Sequence, residues 1–171
     1  MKIIIGSGCV GLSIAYKLLE RFGVAEDILI IDKHNIPTKG TSLRNSGVLH
    51  AGLYYPKGSE KSQLCIKGGE YLFDLCQTNN LPILNCGKLL VPLNKKDEEN
   101  LKKLYENAKD CGRDVELIDY QEASRIQPCV KKTNFYLWSP KTSVFSPGEV
   151  LNFFYEKLLE NDAKFLSDSV L

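Results

Sequence analysis

The stretch Lys2-Ile3-Ile4-Ile5-Gly6-Ser7-Gly8-Cys9-Val10-Gly11 decides the fold, because a short apolar run breaks there into Gly-x-Gly-x-x-Gly. It predicts a strand, a tight turn and the start of a helix. Gly6 allows the turn, Gly8 lets a pyrophosphate approach the backbone, and Gly11 lets the helix pack closely on the strand. Unpaired N–H groups at a helix N-terminus attract anions. The stretch therefore indicates a dinucleotide-binding site.

The sequence after this turn supports the same interpretation. Apolar residues follow at helical spacing, at Ile14, Ala15, Leu18 and Phe22. Gly23 is a suitable helix stop, and residues 27–32 predict a second buried parallel strand. Asp32 ends that strand about 20 residues after Gly11, the last glycine of the motif, where a ribose-binding carboxylate is expected. An acid there disfavours NADP and leaves NAD and FAD open. The alternative to a dinucleotide-binding site is that the glycines only shape a turn in an ordinary α/β fold.

Length and composition indicate one globular domain without a membrane or nucleic-acid partner. The chain has 171 residues, of which 43% are hydrophobic, and a net charge of +1. The apolar runs are only strand-length and no signal-peptide pattern precedes the first strand, so the cytoplasm is the expected location. The six cysteines form no Cys-x-x-Cys pair, which disfavours a zinc site and a disulfide framework.

A long segment at residues 33–56 lacks helical periodicity and is rich in Gly, Ser, Thr and Asn. Loops of this length inside a compact domain are usually functional. Small residues, hydroxyls, an amide, Arg44, His50 and paired tyrosines suit the wall of a cofactor site. The alternative is a surface loop with a structural histidine.

Two blocks carry a specific resemblance. They are Asn45-Ser46-Gly47-Val48-Leu49-His50-Ala51-Gly52-Leu53-Tyr54-Tyr55 and Cys86-Gly87-Lys88-Leu89-Leu90-Val91. Both closely resemble the L-2-hydroxyglutarate oxidase/dehydrogenase family, whose members are FAD enzymes related to D-amino-acid oxidase and glycerol-3-phosphate dehydrogenase. The resemblance extends from Ile3 to Val170.

The resemblance implies FAD held without a covalent bond, with a covalent link through His50 as the alternative. The pattern of cysteines and histidines predicts no metal. The residues that would bind FAD are Gly6, Gly8, Gly11, Asp32, Lys33, Ser42, Arg44, Asn45, Ser46, Gly47 and Val170. The resemblance implies oxidation of L-2-hydroxyglutarate, or of a similar 2-hydroxyacid, to the 2-oxoacid by hydride transfer to the flavin. Oxygen or a quinone-type acceptor would then take the electrons.

His50 is the candidate catalytic base, because a histidine can accept the hydroxyl proton near neutral pH. A structural His50 beneath the flavin is the alternative. Arg44 is the preferred cation for a substrate carboxylate or an FAD phosphate, because its planar fork can bind either in two places. Three lysines could meet the same groups, although each alone is expected to be a solvated surface charge: Lys57, Lys61 and Lys88. Tyr54 and Tyr55 either wall the flavin pocket or anchor their loop.

Capping patterns predict four further helices, whose N-caps are Ser59, Asn94, Asp119 and Ser146. The pair Gly68-Gly69 is expected to weaken or bend the first of them. Strands are expected at residues 89–91, 135–138 and 163–170.

The expected fold is α/β, with an incomplete Rossmann-like FAD-binding βαβ sheet and part of an inserted α+β substrate domain. Residues 1–82 are assigned to the FAD-binding domain, 83–145 to the first part of the substrate domain, and 146–171 to a helix and strand that return to the FAD-binding sheet. The resemblance covers only the N-terminal part of the family's chain. We therefore expect a truncation after Leu171 and little or no turnover by the chain alone.

One departure from the family concerns the substrate. The segment Ser143-Val144-Phe145-Ser146 stands where the family tends to have an acid before the last helix. The exact hydroxyacid is therefore open, and a glycerol-3-phosphate dehydrogenase-like flavoenzyme is the first alternative. A non-catalytic FAD-binding fragment is the second. Peripheral membrane contact also stays open for the longer protein of which this chain is expected to be the N-terminal part.

Overall fold

The computed structural model describes residues 1–34 and 40–167. Its elements in chain order are β1 (Lys2–Ile5), α1 (Cys9–Phe22), β2 (Ile28–Ile31), a 3-10 turn (Thr41–Leu43), β3 (Val48–Leu49), α2 (Glu60–Thr78), β4 (Ile83–Leu84), β5 (Lys88–Leu90), α3 (Lys95–Asp110), β6 (Glu116–Ile118), α4 (Tyr120–Ile126), β7 (Tyr136–Ser139), β8 (Ser143–Phe145), α5 (Pro147–Glu160) and β9 (Lys164–Leu166). Val170, a predicted FAD contact, lies outside the described residues.

The chain divides into two compact units, of which the first is Met1–Gly47 with Ser146–Leu171. Its described strands form a parallel sheet in the order β1-β2-β9. Helices α1 and α5 pack together, with the Tyr16 ring stacked on Phe154 at a centroid distance of 4.6 Å. A βαβ unit with strands in this order is one half of a Rossmann-like sheet, and the predicted fold class is confirmed.

The helix α1 forms where apolar spacing predicts it, but only some of its apolar residues are buried. Ile14 and Phe22 are 49% and 54% exposed, whereas Leu12 and Leu19 are buried beside Ala15. Residues 12, 15 and 19 also have helical spacing, so periodicity alone did not decide which of two neighbouring stripes faces the sheet and α5. The predicted stop is confirmed, because Gly23 adopts a φ of 74° and its N–H donates to the Leu19 carbonyl oxygen at 2.7 Å.

The second unit, Val48–Phe145, contains two antiparallel sheets. Within the described residues their strand orders are β3-β8-β4 and β5-β7-β6. One core cluster joins Leu53, Leu101, Ala108, Val115 and Leu137. The strands β3, β4 and β8 have only two or three residues each, and the sequence analysis missed all three. Apolar alternation over so few positions gives no strand signal.

The predicted helix caps are confirmed. Ser59 and Asn94 each accept a hydrogen bond from the backbone three residues on, and Asp119 forms a reciprocal capping box with Glu122. Ser146 caps α5 in the same way. Helix α2 continues through Gly68-Gly69 without interruption, so the expected weakening did not break it.

The boundary between the units falls earlier than the predicted division after residue 82. Residues 48–82 group with the second unit, because β3 pairs with β8 through Val48 and Val144, and α2 packs near β4. The chain returns to the first unit between Phe145 and Ser146. The assignment of residues 48–82 to an FAD-binding domain stays a prediction about function.

Candidate functional site

The glycine turn of the first unit needs glycine for its backbone conformation at Gly6 and for space at Gly11. Gly6 has a φ of 98°, a conformation that suits glycine. A Cβ atom on Gly11 would overlap the Gly6 carbonyl oxygen and would lie 3.2 Å from Ile4 Cγ2. Gly8 is the N-cap of α1 and provides no side-chain cap for the helix. The strand, turn and helix therefore have the close packing that a pyrophosphate-binding turn requires.

Asp32 lies at the end of β2 and is tied to this turn. Its Oδ2 accepts hydrogen bonds from Ser7 N at 2.6 Å and from Ser7 Oγ at 2.8 Å, and its Oδ1 accepts one from His34 N at 2.9 Å. Burial opposes ionisation of Asp32, but these hydrogen bonds outweigh it and the pKa of the carboxyl lies below its usual value. The carboxylate is therefore ionised and fixed in direction.

A small cleft of about 50 Å³ adjoins this carboxylate. It is lined by Ser7, Ile30, Asp32, His34, Tyr155, Phe165, Leu166 and Ser167. The Tyr155 and Phe165 rings meet edge to face at a centroid distance of 4.6 Å. An ionised acceptor beside apolar and aromatic groups suits the ribose and base of a nucleotide. The turn and Asp32 thus fit the adenosine diphosphate half of a dinucleotide.

The loop after β2 contacts the turn through Ser42. Ser42 Oγ accepts a hydrogen bond from Cys9 N, the first residue of α1, at 2.9 Å. Asn45 Nδ2 donates to the Ser42 carbonyl oxygen at 2.6 Å, and Asn45 Oδ1 accepts from Gly47 N at 2.8 Å. The predicted residues Ser42, Asn45 and Gly47 therefore form one hydrogen-bonded loop against the glycine turn.

The remaining predicted cofactor residues are less constrained. Lys33, Arg44 and Ser46 are exposed. The Arg44 guanidinium makes no hydrogen bond or ion pair within residues 1–34 and 40–167, so its five donors are available there. Their contact with FAD stays a prediction.

His50 belongs to the second unit and lines a cavity of about 470 Å³. The other lining residues are Leu49, Ala51, Ile66, Gly69, Glu70, Phe73, Asp74, Asn85, Arg113 and Lys141. The His50 imidazole is exposed and has no hydrogen-bond partner among the described residues, whereas its backbone carbonyl accepts from Cys65 Sγ at 3.6 Å. Burial raises the pKa of the Cys65 thiol. The His50 imidazole is therefore accessible to a ligand in this cavity, and its role as a base stays a prediction.

Asn107 and Lys88 hold the paired tyrosines, and of these two only Lys88 was named from the sequence. Asn107 Nδ2, on α3, donates to the carbonyl oxygens of Leu53 at 3.1 Å and Tyr55 at 3.0 Å. Lys88 Nζ, on β5, donates to Tyr54 Oη at 2.6 Å. The expectation that Lys88 is a solvated surface charge is wrong, because the side chain is half-buried and bonded to the phenol. Lys57 and Lys61 are exposed as expected.

We expect Asn107→Ala to lower the free energy of unfolding by about 1–3 kcal/mol, because two carbonyl oxygens lose their side-chain donor. Urea denaturation followed by circular dichroism measures the change. The matched control is Asn100→Ala, an exposed residue of the same helix with no side-chain partner in the described part of the chain, which should leave stability unchanged or slightly raised. Equal stability of the two variants would contradict this role for Asn107.

Metal and membrane sites receive no support from the described structure. In residues 1–34 and 40–167, no group of three or more His, Cys, Asp or Glu side chains could hold a metal ion. In the same part of the chain, every helix is too short or too polar to span a bilayer. All six cysteines are free thiols.

Comparison with known proteins decides the family. The family model described as FAD dependent oxidoreductase matches residues 2–171. The chain belongs to the FAD-dependent oxidoreductase family. The family's cofactor is FAD, so the predicted cofactor is confirmed and the choice between NAD and FAD is resolved.

Within this family, the similar curated proteins are L-2-hydroxyglutarate dehydrogenases. The mitochondrial enzyme of Dictyostelium discoideum is 33% identical over 163 residues, which cover 94% of this chain and 36% of that protein. The Escherichia coli K12 enzyme is 33% identical over 126 residues, which cover 74% of this chain and 30% of that protein. The chain thus spans about a third of the length of the curated relatives it matches.

Solved structures of the family share the fold. The FAD-bound L-alpha-glycerophosphate oxidase of Mycoplasma pneumoniae superposes with a TM-score of 0.84 at 20% identity, covering 97% of this chain and 44% of that one. Glycine oxidase from Geobacillus kaustophilus gives the same TM-score at 16% identity, and the superposition covers 97% of this chain and 46% of that one. At these identities the likeness concerns the fold of an FAD-binding enzyme.

Proposed function

We propose that the protein is an FAD-dependent oxidoreductase that oxidises L-2-hydroxyglutarate, or a similar 2-hydroxyacid, to the 2-oxoacid. The observation that carries the proposal is the turn from Gly6 to Gly11, closed against Asp32 by Ser7, in a chain that belongs to the FAD-dependent oxidoreductases. The choice of substrate is supported by the 33% identity to L-2-hydroxyglutarate dehydrogenases.

In this proposal the first unit holds the nucleotide half of FAD. Asp32 would accept hydrogen bonds from the ribose hydroxyls, since its carboxylate is ionised and already oriented by Ser7. Backbone N–H groups at the start of α1 would face the pyrophosphate, and Arg44 would add a positive charge. The bound flavin supplies the acceptor for the hydride that leaves the substrate carbon.

The second unit provides the proton acceptor of the proposal. Oxidation of a secondary alcohol releases a hydroxyl proton as well as a hydride, so the site needs a base. His50 is assigned this role because its imidazole is exposed at a cavity and forms no competing hydrogen bond among the described residues. Oxygen or a quinone-type compound is the proposed final electron acceptor, and the cytoplasmic location stays a prediction.

The proposal is tested by titrating the chain with FAD and then adding substrate. We expect quenching of flavin fluorescence when the chain binds FAD, with little or no dye reduction by the chain alone. In a longer protein that contains this chain, dye reduction should depend on L-2-hydroxyglutarate rather than on glycerol 3-phosphate. Faster reduction with glycerol 3-phosphate would favour the first alternative. FAD binding by that longer protein without reduction by either compound would favour a non-catalytic FAD-binding role, and absence of FAD binding would contradict the proposal as a whole.

A further inference from the structure

The pair formed by Lys88 and Tyr54 has hydrogen-bonding capacity that the fold does not use. Lys88 Nζ donates to Tyr54 Oη at 2.6 Å and lies 4.8 Å from the centre of the same ring. Because the phenol oxygen is the acceptor in this bond, its own hydrogen can be donated elsewhere. Tyr54 is 49% exposed, and among the described residues its hydroxyl has no other partner. The ammonium group also keeps two further N–H donors.

The positive charge of Lys88 is not neutralised by a carboxylate. Three lysines of the described residues have an acidic partner, for example Lys17 with Glu20 at 2.7 Å and Lys157 with Glu160 at 2.6 Å, and Lys88 belongs to the larger group that has none. Within residues 1–34 and 40–167, no Asp or Glu oxygen lies within 4.0 Å of Lys88 Nζ. A cation without a counter-ion can therefore take an anionic ligand at this place on the second unit.

The backbone on both sides of the pair is fixed. Asn107 holds the carbonyl oxygens on either side of Tyr54, and the preceding Leu53 is only 2% exposed. Lys88 pairs with Ser139 in the sheet, and Gly87 before it packs so closely that a Cβ there would overlap the Trp138 ring. The two side chains therefore start from rigid positions, which reduces the entropy lost when they bind a ligand.

A second lysine and tyrosine reinforce the charge of this region. Lys61 Nζ lies 5.3 Å from the ring centre of Tyr55, the residue after Tyr54. Lys61 likewise has no ion pair among the described residues. Consecutive tyrosines are thus each accompanied by a cation, which favours a ligand with negative charge over a neutral or cationic one.

We propose that Lys88 Nζ and Tyr54 Oη form a carboxylate-binding subsite, in which one carboxylate of a short dicarboxylic acid accepts a hydrogen bond from each. This inference rests on the proposed function and names two residues that select its substrate class. Lys88 supplies the charge and Tyr54 supplies the directed donor. Two donors held side by side match the two oxygens of a carboxylate.

The test is isothermal titration of the 171-residue chain with glutarate, a C5 dicarboxylate that cannot be oxidised at a hydroxyl. We expect Lys88→Met to weaken glutarate binding at least about tenfold and Tyr54→Phe to weaken it by about three- to tenfold. Lys88→Arg keeps the charge and should remain within about threefold of the unmodified chain. Thermal unfolding of each variant establishes that it is folded.

The matched control is Lys102→Met. Lys102 also lies over an aromatic ring of the second unit, with its Nζ 5.5 Å from the centre of the Phe135 ring, but that ring has no hydroxyl. We expect this variant to bind glutarate like the unmodified chain. Equal binding by the Lys88→Met chain, or no binding by the unmodified chain, would overturn the subsite. Tighter binding of inorganic phosphate than of glutarate would overturn its assignment to carboxylates.

FAD titration of the same proteins separates this inference from the proposed function. Lys88→Met should bind FAD as the unmodified chain does, because Lys88 lies on β5, outside the glycine turn and the loop at residues 33–56. Glutarate binding that depends on Lys88, in a chain that fails to bind FAD, would support the subsite and contradict the flavoenzyme proposal. If the chain binds FAD but binds glutarate equally well with and without Lys88, the flavoenzyme proposal would be supported and the subsite contradicted.

Discussion

Replacing Gly11 by valine is expected to abolish FAD binding and to lower the stability of the first unit by at least about 3 kcal/mol. The Cβ of any larger residue would overlap the Gly6 carbonyl oxygen, which is backbone and cannot rotate away. Helix α1 would have to move off β1, and its N-terminus would leave the pyrophosphate position. Flavin fluorescence titration and urea denaturation measure the two effects.

Gly68→Ala is the control for the loss of a glycine. Gly68 lies within α2, and a Cβ there meets no atom within 4 Å, so alanine should raise stability by up to about 1 kcal/mol and leave FAD binding unchanged. FAD affinity in the Gly11→Val chain equal to that of the unmodified chain would contradict the assignment of the turn.

A milder variant separates loss of binding from loss of folding. A Cβ on Gly8 would lie 3.0 Å from Ser42 Oγ, and the Gly8 backbone is in an extended conformation that alanine tolerates. Gly8→Ala should therefore fold, while its methyl group pushes against the Ser42 loop and weakens FAD binding. In the double variant Gly8→Ala with Ser42→Ala, the Ser42 hydroxyl that the new methyl group would crowd is absent. If the Gly8→Ala chain is folded and binds FAD normally, close backbone approach at Gly8 is not needed.

Features set by neighbouring residues could be predicted from the sequence. The glycine turn, the stop at Gly23 and the capping box of Asp119 with Glu122 each depend on a few positions close in the chain. Local chemistry determines such features, because the donors and acceptors involved are separated by only a few bonds. Asp32 was also located correctly, since the length of a βαβ unit fixes the distance from the turn to the end of the second strand.

Features set by distant pairing could not be predicted in the same way. Asn107 holds carbonyl oxygens 52 and 54 residues away, and Lys88 meets Tyr54 across 34 residues. Nothing in the local pattern of α3 distinguishes Asn107 from Asn100, because both are polar residues of an amphipathic helix. The same limit applies to α1: its apolar spacing predicts a helix, but the face that becomes buried depends on neighbouring elements that are remote in sequence.

Asp32→Asn is expected to weaken FAD binding by about 10- to 100-fold, because a charge-assisted hydrogen bond to a ribose hydroxyl is worth about 1.5–3 kcal/mol. It should also lower the free energy of unfolding by about 1–3 kcal/mol at neutral pH. Both carboxylate oxygens accept N–H donors, from Ser7 and His34, and an amide must turn an N–H group toward one of them. The buried Ser7, at 3% exposure, cannot replace a lost acceptor with bulk water.

Acid pH provides the diagnostic for this carboxylate, and Asp27→Asn is its control at the opposite end of β2. The pKa of Asp32 is lowered from its usual 3.8, so folding favours the ionised form. The resulting stability is fully present above that usual value and is lost as the pH falls through the lower, folded-state pKa. Urea denaturation at neutral and strongly acidic pH should therefore show a smaller acid-induced loss for Asp32→Asn than for the unmodified chain. Asp27 is exposed and pairs only with the N-terminus, at 3.9 Å, so its variant should keep nearly the full loss. Equal acid sensitivity of the two variants would mean that the hydrogen bonds from Ser7 and His34 do not stabilise the charged form of Asp32.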